Sequence, residues 1–124
     1  MANTIVWFDL PVKNLEKMTA FYATILNQQL EISTEHDFRM TVFQHQENDV
    51  AGCLYETKDD IKQHDSGLLI YFNVNKRIHR AVELAASTGG VIVEPIAAIG
   101  EYGYRAVILD PEGNKVALHA VEDK

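Results

Sequence analysis

Gly67-Leu68-Leu69-Ile70-Tyr71-Phe72-Asn73-Val74 is the stretch at which the chain begins its pattern a second time. Nearly continuous apolar and aromatic character over eight residues reads as a strand. Asn75 then stands where a helix cap belongs, ahead of an apolar stripe of Ile78, Ala81, Val82 and Ala85, and Gly89-Gly90 supplies the stop. Residues 91–95 and 104–109 read as strands, Asp110-Pro111-Glu112-Gly113-Asn114 as a turn, and 115–121 as the last strand. The same order stands upstream. Residues 4–12 (TIVWFDLPV) form a strand, and Asn14 caps a helix over 15–26 with Glu16 in its first turn. Leu15, Met18, Tyr22 and Ile25 give that helix its inner stripe. Strands follow at 28–34, 38–44 and 49–56, with polar His45–Asn48 as a hairpin connection. The chain therefore reads β-α-β-β-β twice.

Offsets between the copies test the repeat. Val12 matches Val74 at an offset of 62 (74 − 12), whereas Phe38-Arg39 matches Tyr104-Arg105 and Val50-Ala51 matches Val116-Ala117 at 66. The extra residues are placed in Pro95–Gly103 (PIAAIGEYG), read as a longer loop whose glycines would also allow it to move as a lid. The expected fold class is α+β, with one domain over 1–124 made of two βαβββ halves, about 1–60 and 61–124.

Composition bounds the function. With 47% hydrophobic and 23% charged residues the chain is an ordinary globular one, long enough to bury a core. A net charge of −7 argues against nucleic acid, whose phosphates need a basic stripe, and leans towards a neutral or cationic ligand. Cys53 is the single cysteine, so no intramolecular disulfide forms. No stretch is long enough to span a bilayer, and Met1-Ala2-Asn3-Thr4 runs into a strand without a basic leader. A cytoplasmic protein without membrane or nucleic-acid partners is expected.

Three motifs carry a family resemblance: Leu10-Pro11-Val12-Lys13-Asn14-Leu15, then Phe21-Tyr22 followed by Leu26, then Leu109-Asp110-Pro111-Glu112-Gly113-Asn114-Lys115-Val116. With the repeat, the chain resembles the glyoxalase/bleomycin-resistance/extradiol-dioxygenase group, the vicinal oxygen chelate superfamily. That resemblance implies two βαβββ units curled into a cup-shaped mixed sheet whose concave face binds the ligand. It also implies a homodimer, in some members with exchanged halves. Metal-dependent members hold a divalent ion through His or Glu on the first and last strands of the units, where it acts as a Lewis acid. Carried over, those positions are Trp7 and Ala51 in the first copy and Leu69 and Ala117 in the second. None of the four offers a metal-binding atom, so no metal or other cofactor is expected.

Strand alternation supplies the rest of the lining. With Trp7 facing the cup, Asp9 does too, while Val6, Phe8 and Leu10 face helices. Leu69, Tyr71 and Asn73 face in on the fifth strand, Cys53 and Tyr55 follow Ala51, and His119 follows Ala117. The Asp110–Asn114 turn sets Val107 opposite Ala117 and Arg105 opposite His119, and the same reasoning turns Arg39 and Thr41 inwards. The expected ligand site is Trp7, Asp9, Arg39, Cys53, Tyr55, Leu69, Tyr71, Asn73, Arg105 and His119, a mixture that suits a small organic molecule. The two arginines would suit a carboxylate or phenolate on it.

Other readings stay open. The aromatic residues can instead fill a closed cup, and Asp9 can pair with an arginine. Asp9, Cys53 and His119 offer the ligand types of a displaced metal site, or a Cys/His nucleophile and base. Asp9 or His119 could serve as acid–base in a metal-free lyase or isomerase. His36, His45, His64 and His79 fall near turns, loops or a helix surface and form no cluster.

Overall fold

The computed structural model describes residues 3–34, 37–58 and 67–124. His36 and His64, and most of the polar 57–66 loop, lie outside the described residues. The elements run β1 Trp7–Val12, α1 Leu15–Leu26, β2 Ile32–Ser33, β3 Met40–Val42, β4 Ala51–Glu56, β5 Ile70–Asn73, α2 Ile78–Ser87, β6 Val91–Ala98, β7 Tyr104–Leu109 and β8 Lys115–Ala120. The architecture is α+β with two βαβββ halves, forming two four-stranded mixed sheets in the orders β1-β4-β3-β2 and β5-β8-β7-β6. Two compact units result: residues 1–23 with 27–61, and residues 24–26 with 62–124.

In the first unit, β1 runs parallel to β4 and pairs Trp7 with Ala51 and Asp9 with Cys53. Antiparallel β3 pairs Met40 with Tyr55, Thr41 with Leu54 and Val42 with Cys53. Helix α1 begins where expected, because the Asn14 side chain accepts the Lys17 N–H at 3.0 Å, a cap worth about 1 kcal/mol. It ends at Asn27, whose left-handed φ of 54° lets the Gln28 N–H reach back to the Ala23 carbonyl. One face of the sheet carries the core: Phe43 stacks on Phe8 at 5.7 Å and meets the edge of Tyr22 from α1 at 5.8 Å. Between these rings and the strand, Gly52 leaves the space that the Phe8 ring occupies. Buried Thr41 faces the same side, its hydroxyl 2.7 Å from that of Thr19 on α1.

The second unit repeats the plan with different ends. β5 is parallel to β8, pairing Tyr71 with Ala117 and Asn73 with His119. β7 is antiparallel to β8, pairing Arg105 with His119 and Val107 with Ala117. The turn between them is held by buried Asp110. Its Oδ1 accepts the Glu112 and Asn114 N–H groups at 2.9 Å, and its Oδ2 accepts the Asn114 Nδ2 amide at 3.0 Å. Gly113, at φ 90°, closes the bend.

Several expectations need correction. Asn75 does not cap α2: left-handed Lys76 turns the backbone first, so the helix starts after Arg77, which has no side-chain cap. The Asn75 carboxamide accepts the Val121 N–H at 2.7 Å and fastens the end of β8 instead. Val6, expected against a helix, precedes β1 and is 69% exposed. β6 extends to Ala98 through two irregularities in its register with β7, and a short 3-10 turn at Gly100–Tyr102 completes the connection.

The largest correction concerns the offsets. Matched through their parallel partners, Trp7 on Ala51 and Tyr71 on Ala117 stand 64 apart (71 − 7), not 62. Matched through antiparallel partners, Val42 on Cys53 and Arg105 on His119 stand 63 apart (105 − 42), not 66. The first shift is even and leaves faces unchanged. The second is odd, and it turns Arg39 and Thr41 onto the α1 side.

Candidate functional site

On the face of the first sheet away from α1, alternation brings Trp7 and Asp9 of β1 beside Cys53 and Tyr55 of β4 and Met40 of β3. With Phe38 these side chains line a recess of about 300 Å³. Its floor is apolar and aromatic, with a single carboxylate set into it.

That carboxylate is held by two donors. The Trp7 indole N–H donates to Asp9 Oδ1 at 2.8 Å, and the Cys53 thiol donates to the same oxygen at 3.4 Å. Among the described residues Asp9 Oδ2 takes no hydrogen bond, so this lining residue keeps an acceptor for a bound molecule. Cys53 is buried at 2% exposure. Burial first, and then the adjacent Asp9 carboxylate, push its thiol up from 9.0 to about 12. It is therefore a neutral donor at physiological pH, without the thiolate that a nucleophile requires.

This has a measurable consequence. A thiol whose folded pKa lies above its unfolded value stabilises the fold below pH 9 and loses that contribution as pH rises from about 9 towards 12. Urea midpoints should fall more steeply between pH 8.5 and 10.5, as approximate working limits, for the natural protein than for Cys53→Ala. Identical slopes would contradict the assignment.

Arg39 lies elsewhere. Its guanidinium pairs with Glu16 of α1 and with Glu56 Oε2 at 3.1 Å. The hydrogen bond from Arg39 holds the Glu16 carboxyl below its usual range. Phe38 and Met40 take the places that alternation had given to Arg39 and Thr41. The signal that locates them is Phe43: a phenylalanine that must be buried shares parity with residues 39 and 41, so all three belong on the helix side.

In the second unit Tyr71, Asn73, Arg105 and His119 also share a face. Arg105 donates to the Tyr71 hydroxyl and lies 3.6 Å from Glu94, with its guanidinium carbon 5.8 Å from the Tyr71 ring centre. The His119 Nε2–H donates to the Tyr102 carbonyl at 2.6 Å and ties the 3-10 turn to β8. Asn73 Oδ1 accepts the Asn75 N–H. Leu69 precedes β5 and is half-buried.

The positions that the resemblance assigns to a metal can now be tested on their donors. The one polar atom of Trp7 is an N–H already given to Asp9, and Ala51 and Ala117 have none. Register replaces Leu69 by Tyr71, whose hydroxyl accepts from Arg105, a neighbour that disfavours a second cation. These side chains do not fit a divalent ion. Within neither unit do three or more described His, Cys, Asp or Glu side chains stand together as a ligand set. Among the described residues no helix is long and apolar enough to cross a membrane.

Comparison with known proteins places this geometry. The chain is 29% identical over 114 residues to "Putative glyoxylase CFP32" of Mycobacterium bovis and of Mycobacterium tuberculosis, covering 90% of this chain. It spans only 41% of the length of those relatives. Among solved structures it resembles the hypothetical protein SA1046 of S. aureus, with a TM-score of 0.72 at 19% identity over 97% of this chain and 95% of that one. It also resembles the fosfomycin resistance protein FosX of Listeria monocytogenes, with a TM-score of 0.67 at 20% identity over 97% and 94%. At such identities the likeness is one of fold. The family model for the Glyoxalase/Bleomycin resistance protein/Dioxygenase superfamily matches residues 4–118, nearly the whole sequence, and the chain belongs to that superfamily.

Proposed function

We propose that this chain is a member of the superfamily that has lost the metal site and binds a small organic molecule in the recess of its first unit. One observation carries the reading: the recess pairs flat apolar walls with a positioned carboxylate, the composition of a small-molecule site. The side chains at Trp7, Ala51 and Ala117, and the arginine on the Tyr71 hydroxyl, support the loss of metal. The same reading has a homodimer working in a reducing cytoplasm, supported by the resemblance and by the single thiol.

Trp7 is the only tryptophan and lies in the recess, so intrinsic fluorescence reports occupancy directly. A screen of small organic molecules is expected to give saturable changes in Trp7 emission with matching thermal stabilisation. Protein purified without chelators is expected to carry much less than one divalent ion per chain. A stoichiometric ion would overturn the metal-free reading, and a screen without a saturable response would overturn the recess.

A second reading rests on the unengaged Asp9 Oδ2, which is placed to take a proton from a bound molecule. A metal-free lyase or isomerase would then lose turnover in Asp9→Asn while retaining ligand binding.

A further inference from the structure

The recess discriminates by charge, and we infer that its ligand is a small organic cation, an alkylated or protonated amine. This rests on the recess being a ligand site. Among the six described lining residues Asp9 has the only formal charge, and Trp7, Phe38 and Tyr55 supply aromatic rings. An ammonium group is attracted both to a carboxylate and to the negative face of an aromatic ring, most strongly that of tryptophan. An anion would meet Asp9 with no compensating cation among the described lining residues.

Two details strengthen the assignment. Arg39, the nearest cation in sequence to the lining residues Phe38 and Met40, is turned to the opposite face and held there by Glu16 and Glu56. The Trp7 and Cys53 donors both fall on Asp9 Oδ1, which fixes the carboxylate and leaves Oδ2 to the ligand. Because Cys53 donates as a thiol, it adds no second negative charge that would need neutralising. The net charge of −7 favours the approach of a cation, and about 300 Å³ lies at the small end of ligand sites, matching a ligand of few heavy atoms.

The test uses three probes of nearly equal shape: choline, its neutral isostere 3,3-dimethylbutan-1-ol, and the anion 3,3-dimethylbutanoate. Each is titrated against the natural protein by Trp7 emission and by calorimetry. Choline is expected to bind about tenfold more tightly than the alcohol, with the carboxylate weakest, the scale of a part-exposed cation–π and carboxylate site. Asp9→Asn should remove the preference for choline over the alcohol. Tyr55→Leu, which keeps Asp9, should weaken choline more than the alcohol. An alcohol that binds as tightly as choline would overturn the charge selectivity while the recess remains a ligand site. No response to any of the three probes at millimolar concentration, with ligands found for the recess in the wider screen, would overturn the cation assignment. No response there either would overturn both. The three-probe comparison on the natural protein decides the matter even where a variant fails to fold.

Discussion

Replacing Phe43 with alanine is expected to remove about 3–5 kcal/mol from the folding free energy, the range for a large aromatic deleted from a core. Phe43 is 6% exposed and is gripped on two sides, by the Phe8 ring in a stacked arrangement and by the edge of Tyr22. Neither neighbour can close the gap easily. Phe8 is already laid over Gly52, and Tyr22 is fully buried on α1. Domains of this kind have only about 5–15 kcal/mol in total, so the variant should be marginal at physiological temperature. Urea unfolding followed by far-UV circular dichroism measures the loss. Phe43→Leu, which keeps much of the volume, should lose distinctly less. A Phe43→Ala loss below about 1 kcal/mol would mean that the ring cluster is not the core of the first unit.

Asp110→Ala is the second large effect, at about 3 kcal/mol or more, and it comes from a different cause. Asp110 is 2% exposed and accepts three donors, two backbone N–H groups and the Asn114 amide. Alanine strips the acceptor from all three, of which the two from Asn114 are buried and the Glu112 N–H is part-buried, and each unsatisfied buried donor costs about 1–3 kcal/mol. Asp110→Asn retains one oxygen for the backbone donors and should lose less. Equal stability of the alanine variant and the natural protein in urea would show that the turn is held by its backbone alone.

Much of the fold was legible because its signals are local. Asn14 caps α1, Gly89 ends α2 in a left-handed conformation, and Asp110–Asn114 closes a turn of fixed length. From that turn the pairing of Arg105 with His119 followed directly. The α1 stripe was legible too: Leu15, Met18 and Tyr22 are all fully buried. What could not be read was anything that depended on counting across a connection of unknown length. Asn75 looks like a cap in sequence, yet the backbone bends at Lys76 and the carboxamide serves β8. Trp7, Asp9, Cys53 and Tyr55 were placed on one face because β1 and β4 are each regular strands. Arg39 was misplaced because its strand was aligned by a Phe-Arg/Tyr-Arg resemblance rather than by the burial demand of Phe43.

The connection between β3 and β4 is three residues shorter than its counterpart between β7 and β8, since equivalent residues stand 63 apart before it and 66 apart after it. An odd difference has a consequence for how such duplicated folds diversify. A substitution changes one side chain on one wall, whereas an odd-length insertion trades the two sides of a strand relative to the sequence of its sister copy. Arginine and threonine then go inward to a helix while phenylalanine and methionine come forward, with no residue type altered. In this way a change in loop length decides which side chains of β3 stand beside Asp9, and which of β7 stand beside His119, in their own halves.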